Sequence, residues 1–112
     1  LLSSRNGNFE MTVASAAQFL KEMWPAELAD ARFEIGLIPG SSPEGSKVER
    51  WSVVPSENRI ILYRLPIERM ARLHRDDELH KRMLIESCVF RAVAEYIGKD
   101  PWELAPDRFR NF

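Results

Sequence analysis

The chain of 112 residues has one cysteine, Cys88, so no internal disulfide can staple it. It contains no apolar run approaching the roughly 18 residues of a membrane-spanning helix. It also has almost no net charge: sixteen Lys and Arg against seventeen Asp and Glu leave −1. That balance supplies no global pull toward nucleic acid or an anionic membrane, and neither is expected as a partner. The opening "LLSSRNGNFE" lacks the basic start and apolar stretch of a secretory signal, which makes the cytoplasm the expected location. Internal repeats and low-complexity tracts are missing as well. What remains is ordinary globular material, 45% hydrophobic and 29% charged, and long enough to bury a core without staples. Residues 1–11 read as a flexible N-terminal extension, with Met11 a candidate start, and residues 12–112 as a single domain.

Within that domain, "TVASAAQFLKEMW" (residues 12–24) sets Val13, Ala16, Ala17, Leu20 and Trp24 at helical spacing, and Pro25 closes the helix. "RFEIGLI" alternates, with Phe33, Ile35 and Leu37 on its buried face, which predicts a half-buried strand. "PGSSPEGS" is a loop. "VERWSVV" and "RIILYRL" flank "PSEN" and predict a hairpin. Apolar residues on both faces of the second run predict a central strand covered on each side. Pro66 is expected to start a short helix. A long helix over residues 76–97 should follow, opened by Asp76, Asp77 and Glu78 and stopped by Gly98. In "DPWE", Asp100 reads as N-cap of a last short helix. The fold class is therefore α+β, with a small mixed or antiparallel sheet packed against an N-terminal helix and the long helix. Trp24, Trp51 and Trp102 read as core or rim packing.

The long helix carries the functional question. At 100° per residue, Ser87, Arg91 and Glu95 share one narrow stripe on a helix that is otherwise nearly all apolar from Met83 onward. A buried helix that keeps one polar stripe presents it to a cleft, a partner or water.

The run "NRIILYRLPIERMARLHRDDELHKRMLIESCVFRAVAEYIGKDPWEL" resembles the core of the minimal zincins, small bacterial proteins identified as zinc metallopeptidases. Leu62-Tyr63-Arg64 and Pro66-Ile67-Glu68-Arg69-Met70 match that family's strand end and Pro-initiated helix. Asp76, Asp77, Glu78 and Leu79 match its acidic connector, and Gly98 its closing glycine. Upstream, "FLKEMWPAEL" resembles the family's first helix, so the likeness spans residues 14–104. It implies a zincin-like α+β domain whose long helix bears the metal motif H-E-x-x-H.

The departure falls on the chemistry. With Gly98 as anchor, the two zinc-binding histidines land on Arg91 and Glu95, and the catalytic glutamate lands on Ala92. That motif works because two neutral imidazoles one turn apart bite one zinc, while the carboxylate takes a proton from metal-bound water. Arginine stays protonated and cannot ligate, and alanine has no proton to exchange. Arg91, Ala92 and Glu95 are thus vestigial metal-site positions. Ser87 and Asp100 would line the cleft, and Arg91 and Glu95 are expected to form an i,i+4 ion pair in the old metal position.

A relocated metal site would have to draw on His74, His80, Glu86, Cys88, Glu95 and Asp100. His80 and Glu95 lie about 22 Å apart along the helix axis, too far to share an ion. Cys88 has no histidine at helical spacing and reads as a small core residue. The reading is accordingly a non-catalytic, metal-free zincin-like domain without a cofactor, an interaction module for a protein or an extended peptide. The alternative is a metallopeptidase-like hydrolase with an unconventional metal site.

Overall fold

The computed structural model describes residues 2–40, 49–74 and 77–104. The first helix, α1 (Leu2–Met23), starts ten residues before the expected Thr12. Residues 8–11 therefore do not belong to a flexible extension: Phe9 is fully buried, in the same core cluster as Val13, Ala16 and Leu20. The spacing explains it, because Phe9 is one turn ahead of Val13 on the same face. The "NGN" of residues 6–8 argues locally against a helix, and packing of Phe9 overrides that weak preference. Thr12 Oγ1 donates to the Asn8 carbonyl at 2.8 Å within this early segment. At the other end the chain turns at Pro25, Leu28 drops into the core, and the Trp24 indole donates to the Leu104 carbonyl at 3.1 Å.

Three strands follow: β1 (Arg32–Gly36), β2 (Trp51–Val54) and β3 (Arg59–Tyr63). Their order is β1-β3-β2, with β1 parallel and β2 antiparallel to β3, so the sheet is mixed. The expected hairpin joins β2 to β3 through a 3-10 turn, Pro55–Glu57. Asn58 closes it in the left-handed region at φ 56°, a conformation asparagine tolerates. Central β3 buries Ile60 and Leu62 but only half-buries Ile61 and Tyr63. Helices thus cover one face of the sheet, where two covered faces were expected. The second face is dressed by its own side chains. Arg59 grips Glu34 through two hydrogen bonds of 2.8 and 3.0 Å and holds that carboxyl below its ordinary pKa. The Tyr63 ring lies against Gly36, where a Cβ would sit 2.9 Å from it.

Strand β1 departs from its expected pattern as well. Phe33 is half-buried, whereas Ile35 and Leu37 are exposed, because β1 is an edge strand and nothing described covers its outer side.

Helix α2 (Arg64–His74) begins two residues before Pro66, which still lies in the first turn, where no amide is needed. The Leu65 amide donates to the Leu37 carbonyl at 3.1 Å, tying the start of α2 to the exit of β1. Helix α3 (Glu78–Ile97) is capped by Asp77, whose carboxylate accepts from the His80 amide at 2.8 Å. Asp76, the expected start, lies outside the described residues. Gly98 ends α3 at φ 73°, and Lys99 then donates to the Ala94 carbonyl at 2.9 Å. Asp100 accepts from the Glu103 amide through its backbone carbonyl at the head of α4 (Pro101–Leu104). Trp102, expected to pack, is largely exposed.

The core joins α1, the inner face of the sheet and most of the circumference of α3. Phe19 and Phe90 stack between α1 and α3 with ring centroids 6.0 Å apart. Replacing Phe9 by alanine should therefore lower unfolding stability by about 3–5 kcal/mol, read from denaturant midpoints. A flexible extension would lose nothing.

Candidate functional site

On α3, Ile85, Cys88, Val89, Ala92 and Val93 face inward because they recur at three- and four-residue intervals. The stripe left over is Ser87, Arg91 and Glu95. Ser87 is half-buried, and Arg91, Glu95 and Asp100 are exposed. Ala92 is fully buried.

The expected Arg91–Glu95 ion pair is not formed among the described residues. Arg91 Nε instead donates to Ser87 Oγ at 3.3 Å, one turn back. Glu95 Oε1 accepts from the Trp51 indole Nε1 at 3.2 Å. The reason is geometric: arginine preceding glutamate at i,i+4 is the weaker orientation, and an exposed pair of that kind is worth only a few tenths of a kcal/mol. A neutral indole donor delivered by β2 outcompetes it. Arg50 lies over the same indole, its guanidinium carbon 5.6 Å from the ring centroid. The polar stripe of α3 is therefore bordered by an aromatic ring and two guanidinium groups.

Trp51 was missed as a site residue, and helical spacing could not have found it, since it lies 44 residues from Glu95 in the chain. Among the described residues no three His, Cys, Asp or Glu side chains gather where a metal could be held. His80 Nδ1 lies 2.8 Å from Asp77 Oδ1, so this imidazole belongs to the helix cap. The side chain of His74 lies outside the described residues. Cys88 is buried, and desolvation pushes its thiol up to about 11, against the weaker pull of Arg50 and Arg91.

Two open cavities lie away from this stripe. One, about 640 Å³, runs between α1 and β1 over Val13, Ala14, Ala17, Phe33 and Ile35. The other, about 700 Å³, lies between the exit of β1, Arg50 and α2. Neither is lined by Ser87 or Asp100, the expected cleft residues.

No family model matches the chain, and no curated protein or solved structure matches it either.

A thiol held this high is almost wholly protonated at neutral pH, and only the thiolate alkylates readily. Native protein at pH 7.5 should leave Cys88 unmodified by iodoacetamide, and denatured protein should react fully. Intact mass reads the difference, and rapid labelling of the native chain would contradict the burial argument.

Proposed function

We propose that this chain is a non-catalytic interaction domain of zincin-like type that binds an extended peptide or protein segment as an added strand on the outer edge of β1. The zincin-like frame rests on Leu62-Tyr63-Arg64 and Pro66-Ile67-Glu68-Arg69-Met70. The non-catalytic half rests on side-chain chemistry. Arg91 cannot ligate zinc, Ala92 has no proton to exchange, and the Glu95 carboxylate is engaged by Trp51.

The observation that carries the binding half is the outer edge of β1, beside a groove and without a neighbouring strand among the described residues. In the parallel pair, the Arg32 amide donates to the Asn58 carbonyl at 2.8 Å. The backbone groups of Arg32, Glu34 and Gly36 therefore face β3, and those of Phe33 and Ile35 face outward. Two amides and two carbonyls of one edge are thus open to another strand. The Phe33 and Ile35 side chains turn to the α1 side, and opposite them Ala14 and Ala17 are small enough to leave the groove open. A strand laid there gains main-chain hydrogen bonds from β1 and apolar contacts from α1 for every second side chain.

Peptides selected from a random library displayed on phage supply the probe. Bound peptide should shift and protect the Phe33 and Ile35 amides in proton–nitrogen NMR spectra. Ile35→Pro removes an outward donor and spares the β1–β3 ladder, so it should weaken binding by about tenfold or more while the far-ultraviolet spectrum stays native. Shifts centred elsewhere, or unchanged binding by Ile35→Pro, would overturn the strand-addition reading. The catalytic half is tested separately. Elemental analysis of protein made without a histidine tag should find no stoichiometric metal, and a zinc titration should release no binding heat. One tightly held zinc per chain would restore the hydrolase alternative.

A further inference from the structure

The second cavity carries an inference of its own. Helix α2 turns two different faces to its surroundings. Ile67 and Ala71 are buried, and Glu68 is held by Arg64 at 3.0 Å and by Lys81 of α3 at 3.2 Å. That leaves Leu65, Arg69, Arg72 and Leu73, at intervals of four, three and one, on the outward face. Leu73 is 78% exposed and, across the groove, Ile38 is 61% exposed. Large aliphatic side chains this bare, gathered at one concavity, mark a contact surface.

The charges around this groove are of one sign. Arg50, Arg69 and Arg72 line it, no carboxylate does, and none of the three is ion-paired among the described residues. Arg50 reaches only the Met70 sulfur, at 3.1 Å, and the face of Trp51. Neither segment 41–48 nor segment 105–112 carries a net negative charge. "SSPEGSKV" carries one acid and one base, and "APDRFRNF" one acid and two bases. Guanidinium groups pair with carboxylates in a planar fork, so three of them above an aliphatic floor select a segment rich in both. No aromatic side chain lines the groove to stack a nucleobase. A recessed site with three cations, on a chain of net charge −1, is also poorly shaped for a flat anionic membrane.

We propose that the groove between Ile38 and α2 docks an acidic, leucine-bearing segment of a partner protein, with carboxylates on Arg50, Arg69 and Arg72 and aliphatic side chains on Ile38, Leu65 and Leu73. The inference stands on this groove alone and does not depend on strand addition at β1. It adds a partner chemistry that the edge, which pairs through the backbone, does not specify.

The test uses the full chain and two labelled synthetic peptides in fluorescence anisotropy. One alternates Glu-Glu with Leu-Leu over about ten residues; in the other every Glu is Lys. The acidic peptide should bind at least about tenfold tighter than the basic one, and its affinity should fall as salt rises. The exposed double variant Arg69→Glu/Arg72→Glu should reverse the preference, and Leu73→Ser should weaken both peptides. Circular dichroism checks that the variants fold. The wild-type comparison of the two peptides needs no variant. Equal affinity for the two peptides, no binding of the acidic one, or a preference unmoved by the double variant would each overturn the proposal. Tighter binding to phosphatidylserine vesicles or to a single-stranded RNA oligonucleotide, lost in the same variant, would overturn it too and assign the groove to that polyanion.

Discussion

Everything in this fold is arranged around the enclosure of one helix. Between Ile85 and Ala94, α3 buries eight of ten side chains, and α1, the inner sheet face, α2 and α4 take their positions against it. Cys88, Ala92 and Ala94 are small, which lets those elements approach closely from several directions. A helix packed so completely has one exposed direction left for polar groups, although Glu86 is buried among its packed residues. Ser87, Arg91 and Glu95 occupy it, on the side where β2 brings Trp51. The enclosure that raises the thiol of Cys88 therefore also decides where any chemistry on this helix could stand.

A three-stranded sheet covered by helices on one face has two edges and a bare face, and the sequence must manage all three. The bare face is handled with the Glu34–Arg59 fork and the Tyr63 ring, which shield backbone without needing a second layer. One edge, β2, lies beside α3, and its indole is committed to Glu95. The other edge, β1, has neither device. Its outward backbone groups have no described strand beside them, and its exit displays Leu37 and Ile38.

The elements with strong local signals were legible in the sequence. The 3.6-residue pattern of α3, the Gly98 stop, the "PSEN" hairpin and the central place of β3 all follow from residue chemistry within a few positions, and so does the α+β class. The errors lie where distant packing decides. Phe9 is core because α3 lies across from it, which nothing within residues 1–11 announces. Ile35 and Leu37 alternate correctly but stay exposed, because period two tells which residues share a face and not whether anything covers it. The polar stripe on α3 was visible, but the partners of its members were not. Trp51 reaches Glu95 only through the β2–β3 register, and Arg91 turns back to Ser87.

The two grooves gain meaning from their order along β1. Ile35 lines the first and Ile38 the second, three residues later on the same chain. Between them the Leu37 carbonyl is fixed by the Leu65 amide, so the exit of β1 and the start of α2 hold one geometry. On the strand-addition proposal, a segment paired with β1 that continued past Gly36 would leave a groove of mixed apolar and charged side chains and meet three guanidinium groups without ion pairs among the described residues. Main-chain pairing gives such a site affinity without preference or direction. The arginines add both, because only one end of the bound segment can then carry the carboxylates. Under the two proposals together, a strand edge that would otherwise accept any extended chain would become selective through side chains contributed by a different element, α2.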